Sequence, residues 1–129
     1  MNVLDENIIR SQREKLRQWR IPFRQIGEEV AHSGAQDSEI IPLLLRLKKP
    51  TFFTRDFDYF RPQLEHPRYC LVWLNVRADK AAFYVRRFLR HPHFRTHEQR
   101  LDRIVRVHVE GVEYWKHGQA ERLFIGWLP

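Results

Sequence analysis

Cysteine is almost missing from this chain, with one residue, Cys70, in 129. A single thiol excludes an internal disulfide framework, and its place inside the apolar run Tyr69 to Val76 predicts a buried core side chain in a reducing cytoplasm. Glycine is scarce as well, at five residues, and no GxxxxGK(S/T) phosphate loop occurs, so nucleotide hydrolysis of that kind lacks its cradle. No Ser or Cys sits in a nucleophile-elbow context, which removes acyl transfer. No apolar stretch approaches the roughly 20 residues of a membrane helix, and no charged-then-apolar segment opens the chain, so neither membrane spanning nor secretion is expected. Acidic charge is in the minority, 16 Asp plus Glu against 23 Lys plus Arg. The resulting +7 favours a polyanionic or acidic partner without choosing between nucleic acid and protein.

What is present fits one compact domain over residues 1–129, since 43% hydrophobic residues can offset chain entropy and a second core hardly fits. Val3-Leu4 reads as a short buried strand ending at Asp5-Glu6-Asn7. Ser11-Gln12-Arg13-Glu14 predicts a capping box opening a helix that buries Leu16 and Trp19 and stops before Pro22. Phe23 to Ile26 reads as a second strand closed by Gly27. After the polar stretch His32 to Gln36, the residues Ile40, Ile41, Leu44 and Leu45 recur at helical spacing, with Pro42 predicting a loose first turn from Asp37 and regular helix only beyond it.

Thr51 to Thr54 forms the third predicted strand, followed by a polar-aromatic loop, Arg55 to Phe60. Cys70-Leu71-Val72-Trp73-Leu74 lacks polar alternation, as a strand buried on both faces of a parallel sheet does. Asp79 is expected to cap a helix with Ala81, Tyr84, Val85, Phe88 and Leu89 inward, ended by His91-Pro92. From Ile104 onward the alternation of Val105, Val107 and Val109, a turn at Glu110-Gly111, and the segments around Tyr114 and Leu123 to Trp127 predict a small antiparallel addition. The pattern as a whole predicts a three-layer α/β/α sandwich with a mainly parallel sheet and right-handed crossovers.

Ligands of such sheets bind beyond the carboxyl ends of the strands, and the residues there are acids: Asp5 after the first strand, Asp37 at the second helix, Asp56 and Asp58 after the third strand. Converging carboxylates repel one another unless a cation neutralises them. Hard oxygen ligands with no His or Cys at matching positions suit Mg²⁺ or Mn²⁺, and hence phosphodiester chemistry.

The segments VLDEN at 3–7, QDSEI at 36–40 and FTRDFDYF at 53–60 together resemble the PIN-like nuclease family related to VapC-type toxins. The resemblance spans about the first 76 residues. It implies a metal-dependent ribonuclease, often the toxin half of a toxin–antitoxin pair, with Asp5 as central metal ligand, Asp37 as the second acid, Asp56 and Asp58 as the third and fourth, and Thr54 orienting a ligand or water. It also implies single-stranded RNA as substrate and an acidic antitoxin as partner. The chain departs from that pattern in placing Arg20 where a glycine is common, in carrying Pro42 within a helix, and in its strongly basic Arg86 to Arg106 region.

Each acid also has a structural reading. Asp37 can cap its helix, and Asp56 or Asp58 can close Asx turns. Glu6 and Glu39 remain neighbours outside the main set. The basic run Arg86, Arg87, Arg90, Arg95, Arg100, Arg103 and Arg106, interleaved with Phe88, His93 and Phe94, can hold a phosphate backbone and stack bases, or form a solvated helix face. Thr54, Arg55, Arg86, Arg87 and Arg90 are the candidate substrate contacts. Tyr114 and Trp127 on the last strands are candidates for a homodimer surface. A noncatalytic RNA- or acidic-protein-binding module on the same scaffold is the alternative, because fold alone does not establish activity.

Overall fold

The computed structural model describes residues 1–27, 37–116 and 118–127. The polar stretch His32 to Gln36 lies outside the described residues. The elements run β1 (Asn2–Leu4), α1 (Arg10–Gln18), β2 (Arg24–Gln25), α2 (Asp37–Leu44), β3 (Thr51–Thr54), β4 (Cys70–Leu74), α3 (Ala81–Arg90), α4 (His97–Arg100), β5 (Arg103–His108), β6 (Gly111–Lys116) and β7 (Leu123–Gly126). Short 3₁₀ turns occupy Phe57–Tyr59, Pro62–Leu64 and Ala78–Lys80. One seven-stranded sheet holds all the strands in the order β2-β1-β3-β4-β5-β6-β7. From β2 to β5 every pairing is parallel. β6 and β7 are appended antiparallel, joined to β5 as a meander.

Strand alternation divides the core into two layers. Leu4, Phe53, Val72 and Val105 face α1 and α3, whereas Val3, Phe52, Leu71 and Ile104 face α2. β4 is covered on both sides, and Cys70 is fully buried, its thiol pushed up to about 12 by burial. That thiol packs as a small hydrophobe and is inert at neutral pH. The expectation of uniformly right-handed crossovers fails at one connection. The steps β1 to β2 and β4 to β5 move in opposite directions across the sheet, yet α1 and α3 lie on the same face. These two connections therefore have opposite hands, which long links tolerate and short ones rarely show.

Several local expectations are corrected. α1 begins at Arg10 with Ile9 as its cap residue and no side-chain cap bond, so the capping box is not formed. Glu14 instead pairs with Arg10 one turn back at 3.0 Å. The cap expected from Asp79 is also absent. Asp79 pairs with Arg77, and the free amide of Ala82 is taken by the Gln12 side chain of α1, at 2.9 Å. A buried glutamine from another helix thus satisfies a donor that the local sequence leaves orphaned. Pro42 sits inside α2, which is regular from Asp37 and ends at Leu44, the reverse of a loose start and a regular end. The fixed φ of proline is helical, and the one bond it removes falls where the helix is about to stop.

α1 ends in a Schellman motif: the Ile21 amide donates to the Leu16 carbonyl at 3.0 Å and the Arg20 amide to the Arg17 carbonyl at 2.9 Å. Arg20 carries the left-handed conformation this requires, with φ of 59°. The position where the resembled family commonly has glycine is therefore one that glycine suits. Because a side chain in that region costs about 1–2 kcal/mol, part of which glycine returns as unfolded-chain entropy, Arg20→Gly is expected to raise stability by about 1 kcal/mol in urea unfolding.

Candidate functional site

The carboxyl edge of the sheet is where the acids meet. β1 ends at Leu4, and the next residue is locked by backbone bonds on both sides, since the Asp5 amide donates to the Phe53 carbonyl and the Ile26 amide to the Leu4 carbonyl, each at 2.9 Å. The side-chain amide of Gln25 adds a third tie, donating to the Asp5 carbonyl at 2.9 Å. Asp5 cannot swing, and its carboxylate direction follows from the strand. By alternation it projects with Val3 and Phe52, toward the α2 layer.

Thr54, fully buried at the end of β3, organises the site. Its hydroxyl donates to Asp5 Oδ2 at 2.6 Å while Oγ1 accepts from the Asp56 amide at 3.0 Å and from Asn7 Nδ2 at 3.3 Å. One donor and two acceptor positions are all used. Asn7 Oδ1 in turn accepts from the Arg55 amide at 3.1 Å, so β1 and β3 are stitched together past their ends. The other Asp5 oxygen, Oδ1, accepts from the Glu6 amide at 2.8 Å. Replacing Thr54 by Val removes the hydroxyl at nearly constant volume and is expected to cost about 1–3 kcal/mol in urea unfolding, with Thr54→Ser recovering most of it.

Asp56 is half-buried, and its Oδ1 accepts from the Asp58 amide at 2.9 Å, capping the 3₁₀ turn Phe57–Tyr59. The Asx turn that the sequence allowed is therefore formed, and one Asp56 oxygen is engaged in it. Asp58 lies exposed on that turn. Tyr59 and Phe60 are buried, so the predicted loop is an anchored turn. Asp37 begins α2, and only residues 45 to 50 separate Leu44 from β3. α2 must then run from the carboxyl edge back to the amino edge, which puts the Asp37 backbone on the same side and at the same end as Asp5. The Asp37 side chain lies outside the described residues.

Among the described residues, no three His, Cys, Asp or Glu side chains are grouped to hold a metal ion. Among the described residues, the donor set at this edge consists of carboxylates and a hydroxyl, with no nitrogen or sulfur. Mg²⁺ is held by as few as one or two carboxylates, with waters and substrate phosphate completing its octahedron. Asp5, whose carboxylate accepts from Thr54, and Asp56, whose backbone amide donates to Thr54, meet that requirement in chemical kind.

Arg55 links this edge to the opposite layer. Its Nη2 donates to the Val76 carbonyl beyond β4, at 3.2 Å. Arg86, Arg87 and Arg90 lie on α3, where they line a surface pocket of about 310 Å³ together with Phe83, His91 and Trp127. Asp5, Thr54, Asp56 and Asp58 are not part of that pocket. The rest of the basic run divides by environment. Arg100 is buried, Arg106 pairs with Glu113 at 2.6 Å, and Phe88 and Phe94 are core residues stacked on each other. Those two rings cannot stack bases. Tyr114 is buried, and the Trp127 indole donates to the His108 carbonyl at 2.8 Å, so much of the suggested dimer surface is used within the chain.

His91 is buried, its Nδ1 accepts from the His93 amide at 3.1 Å, and its Nε2 lies 3.3 Å from the Gly126 carbonyl. These contacts need a neutral ring with the proton on Nε2. Burial, ahead of the other causes, holds the His91 pKa below its ordinary 6.5. Burial likewise lowers His97. The unfolded chain therefore binds protons that the folded one refuses, and stability is complete above about pH 6.5 and declines as pH falls below it. The melting temperature is expected to hold from about pH 8 to 7 and then to drop toward pH 5. His91→Gln should make that drop shallower without removing it, since His97 contributes in the same direction.

Asn7, Gln25 and Gln12 are the residues that sequence reasoning missed. Asn7 stands in the quoted VLDEN segment, two residues past Asp5, and only the pairing of β1 with β3 reveals its role. Comparison with protein-family models, with curated proteins and with solved structures finds no match.

Proposed function

We propose that this chain is a PIN-like, metal-dependent ribonuclease acting on single-stranded RNA. The observation that carries the reading is the Thr54 hydroxyl, which donates to the Asp5 carboxylate and accepts from the Asp56 backbone amide at the carboxyl edge of a parallel sheet, with α2 starting from Asp37 at the same end. Asp5, Asp37 and Asp56 would hold Mg²⁺ or Mn²⁺, with Asp58 at the outer margin. When bound, the ion supplies an activated water and offsets negative charge at the phosphate. The chain supplies orientation. Thr54 and the Glu6 amide fix the Asp5 carboxylate, and Asn7 fixes Thr54 and the Arg55 backbone. The preference for RNA and an acidic antitoxin partner follow from the resemblance, a cytoplasmic setting follows from the single thiol, and the +7 charge is consistent with both polyanions.

Incubation of the wild-type chain with a labelled single-stranded RNA tests the reading. Cleavage that requires Mn²⁺ or Mg²⁺ and stops with EDTA is expected, and an intact RNA under all conditions overturns it. The engagement of Asp56 Oδ1 by its own turn favours the alternative of a noncatalytic binding module. Binding that survives EDTA, with no cleavage in Mn²⁺, is its signature.

A further inference from the structure

We propose that the outer face of α3 is a seat for single-stranded RNA, continuing the proposed acidic site along the basic helix that follows β4. The direction of the track rests on the nuclease reading, but the binding surface does not. Arg86, Arg87 and Arg90 line one pocket, and among the described residues none of the three is paired with a carboxylate. Two of them are held by aromatic rings instead. The Arg86 guanidinium lies 3.7 Å from the Trp19 ring centre, and that of Arg87 lies 4.6 Å from Trp127. A guanidinium stacked on a ring keeps its N–H edge open for a phosphate and has already lost much of its rotamer freedom.

Phe83 supplies the second component. It is 42% exposed, one turn before Arg87, and it lines both this pocket and a neighbouring one formed with Val76, Arg77 and Lys80. Val76 is the residue whose carbonyl receives Arg55, the neighbour of Thr54. A basic path therefore runs from the acids over Arg55 and the turn Ala78–Lys80 down α3, with an exposed ring along it. Cations that track phosphates, interleaved with a stacking platform, match a single strand with unpaired bases. An acidic peptide has no comparable use for the ring.

The test is fluorescence anisotropy of a labelled oligouridylate in EDTA, at 50 and 200 mM salt, where cleavage plays no part. The double variant Arg87→Gln/Arg90→Gln is expected to weaken binding about tenfold or more and to reduce the salt slope by about 1.4, at roughly 0.7 per lost phosphate contact on a single strand. Phe83→Ala leaves every charge in place and is expected to weaken binding at least about fivefold. Phe83 and Arg90 are exposed and Arg87 is half-buried, and unchanged thermal melting confirms folded protein. Wild-type affinity in both variants overturns the seat. Polyglutamate competing as strongly as RNA, with Phe83→Ala neutral, overturns it in favour of an acidic protein surface. RNA binding lost in the variants, beside a wild type that never cleaves in Mn²⁺, supports the seat and overturns only the nuclease reading.

Discussion

Asp5→Asn is expected to lower Mn²⁺-dependent cleavage of single-stranded RNA by roughly a hundred- to thousandfold, the several kcal/mol that a bound cation contributes to a phosphoryl transition state. The substitution suits the question because Asn keeps the size and shape of the side chain and leaves the backbone of residue 5 in place. The amide oxygen of Asn can still accept from Thr54, and the backbone ties of residue 5 to Phe53 and Gln25 are untouched. Either the Thr54 hydroxyl or the Glu6 amide then faces an NH2 group in place of an oxygen, so urea unfolding should shift by about 1–3 kcal/mol. Cleavage by Asp5→Asn at the wild-type rate would remove Asp5 from the reaction. A collapse of stability would instead mean that the carboxylate is structural.

Arg100→Met is expected to have the largest effect on folding, a loss of about 3 kcal/mol in urea unfolding at neutral pH. Arg100 is 5% exposed. Its Nε donates to Thr51 Oγ1 at 3.0 Å, Nη1 to the Phe94 and Arg95 carbonyls at 2.8 and 3.1 Å, and Nη2 faces His97 Nδ1 at 3.1 Å. The guanidinium thus pins the return from α3 to the foot of β3. Bonds from a charged donor contribute about 1.5–3 kcal/mol, and buried acceptors left empty cost about 1–3 each. Against this stands the desolvation of the cation, which lowers the Arg100 pKa and is relieved when the charge is removed. The bonds outnumber the penalty. A measured loss below about 1 kcal/mol would show that desolvation cancels them.

Arg100 also shows why part of the site was hidden in the sequence. In a run with Arg86, Arg87, Arg90 and Arg95 it reads as one more phosphate contact, because composition carries no information on burial. The chain turns inward at α4, and a residue three places before β5 becomes a core clamp. Arg106 leaves the run for a different reason, since β6 returns Glu113 beside it. Arg90 on α3 and Arg95 after it stay exposed.

Periodicity alone determined the strands Thr51–Thr54 and Cys70–Leu74, the stop of α3 at His91-Pro92, the antiparallel end, and the placing of Asp5 and Asp56 just past strands. Those features depend on neighbours a few residues away, where propensity and alternation act. The tertiary structure decided the strand order, the opposite hands of two crossovers, the capping of α3 by Gln12, and the bonding of Asn7 and Thr54 around Asp5. Each of these joins residues about 50 or more positions apart or depends on which face a helix covers. Such contacts form only when the sheet brings the strands side by side, and no local pattern encodes them.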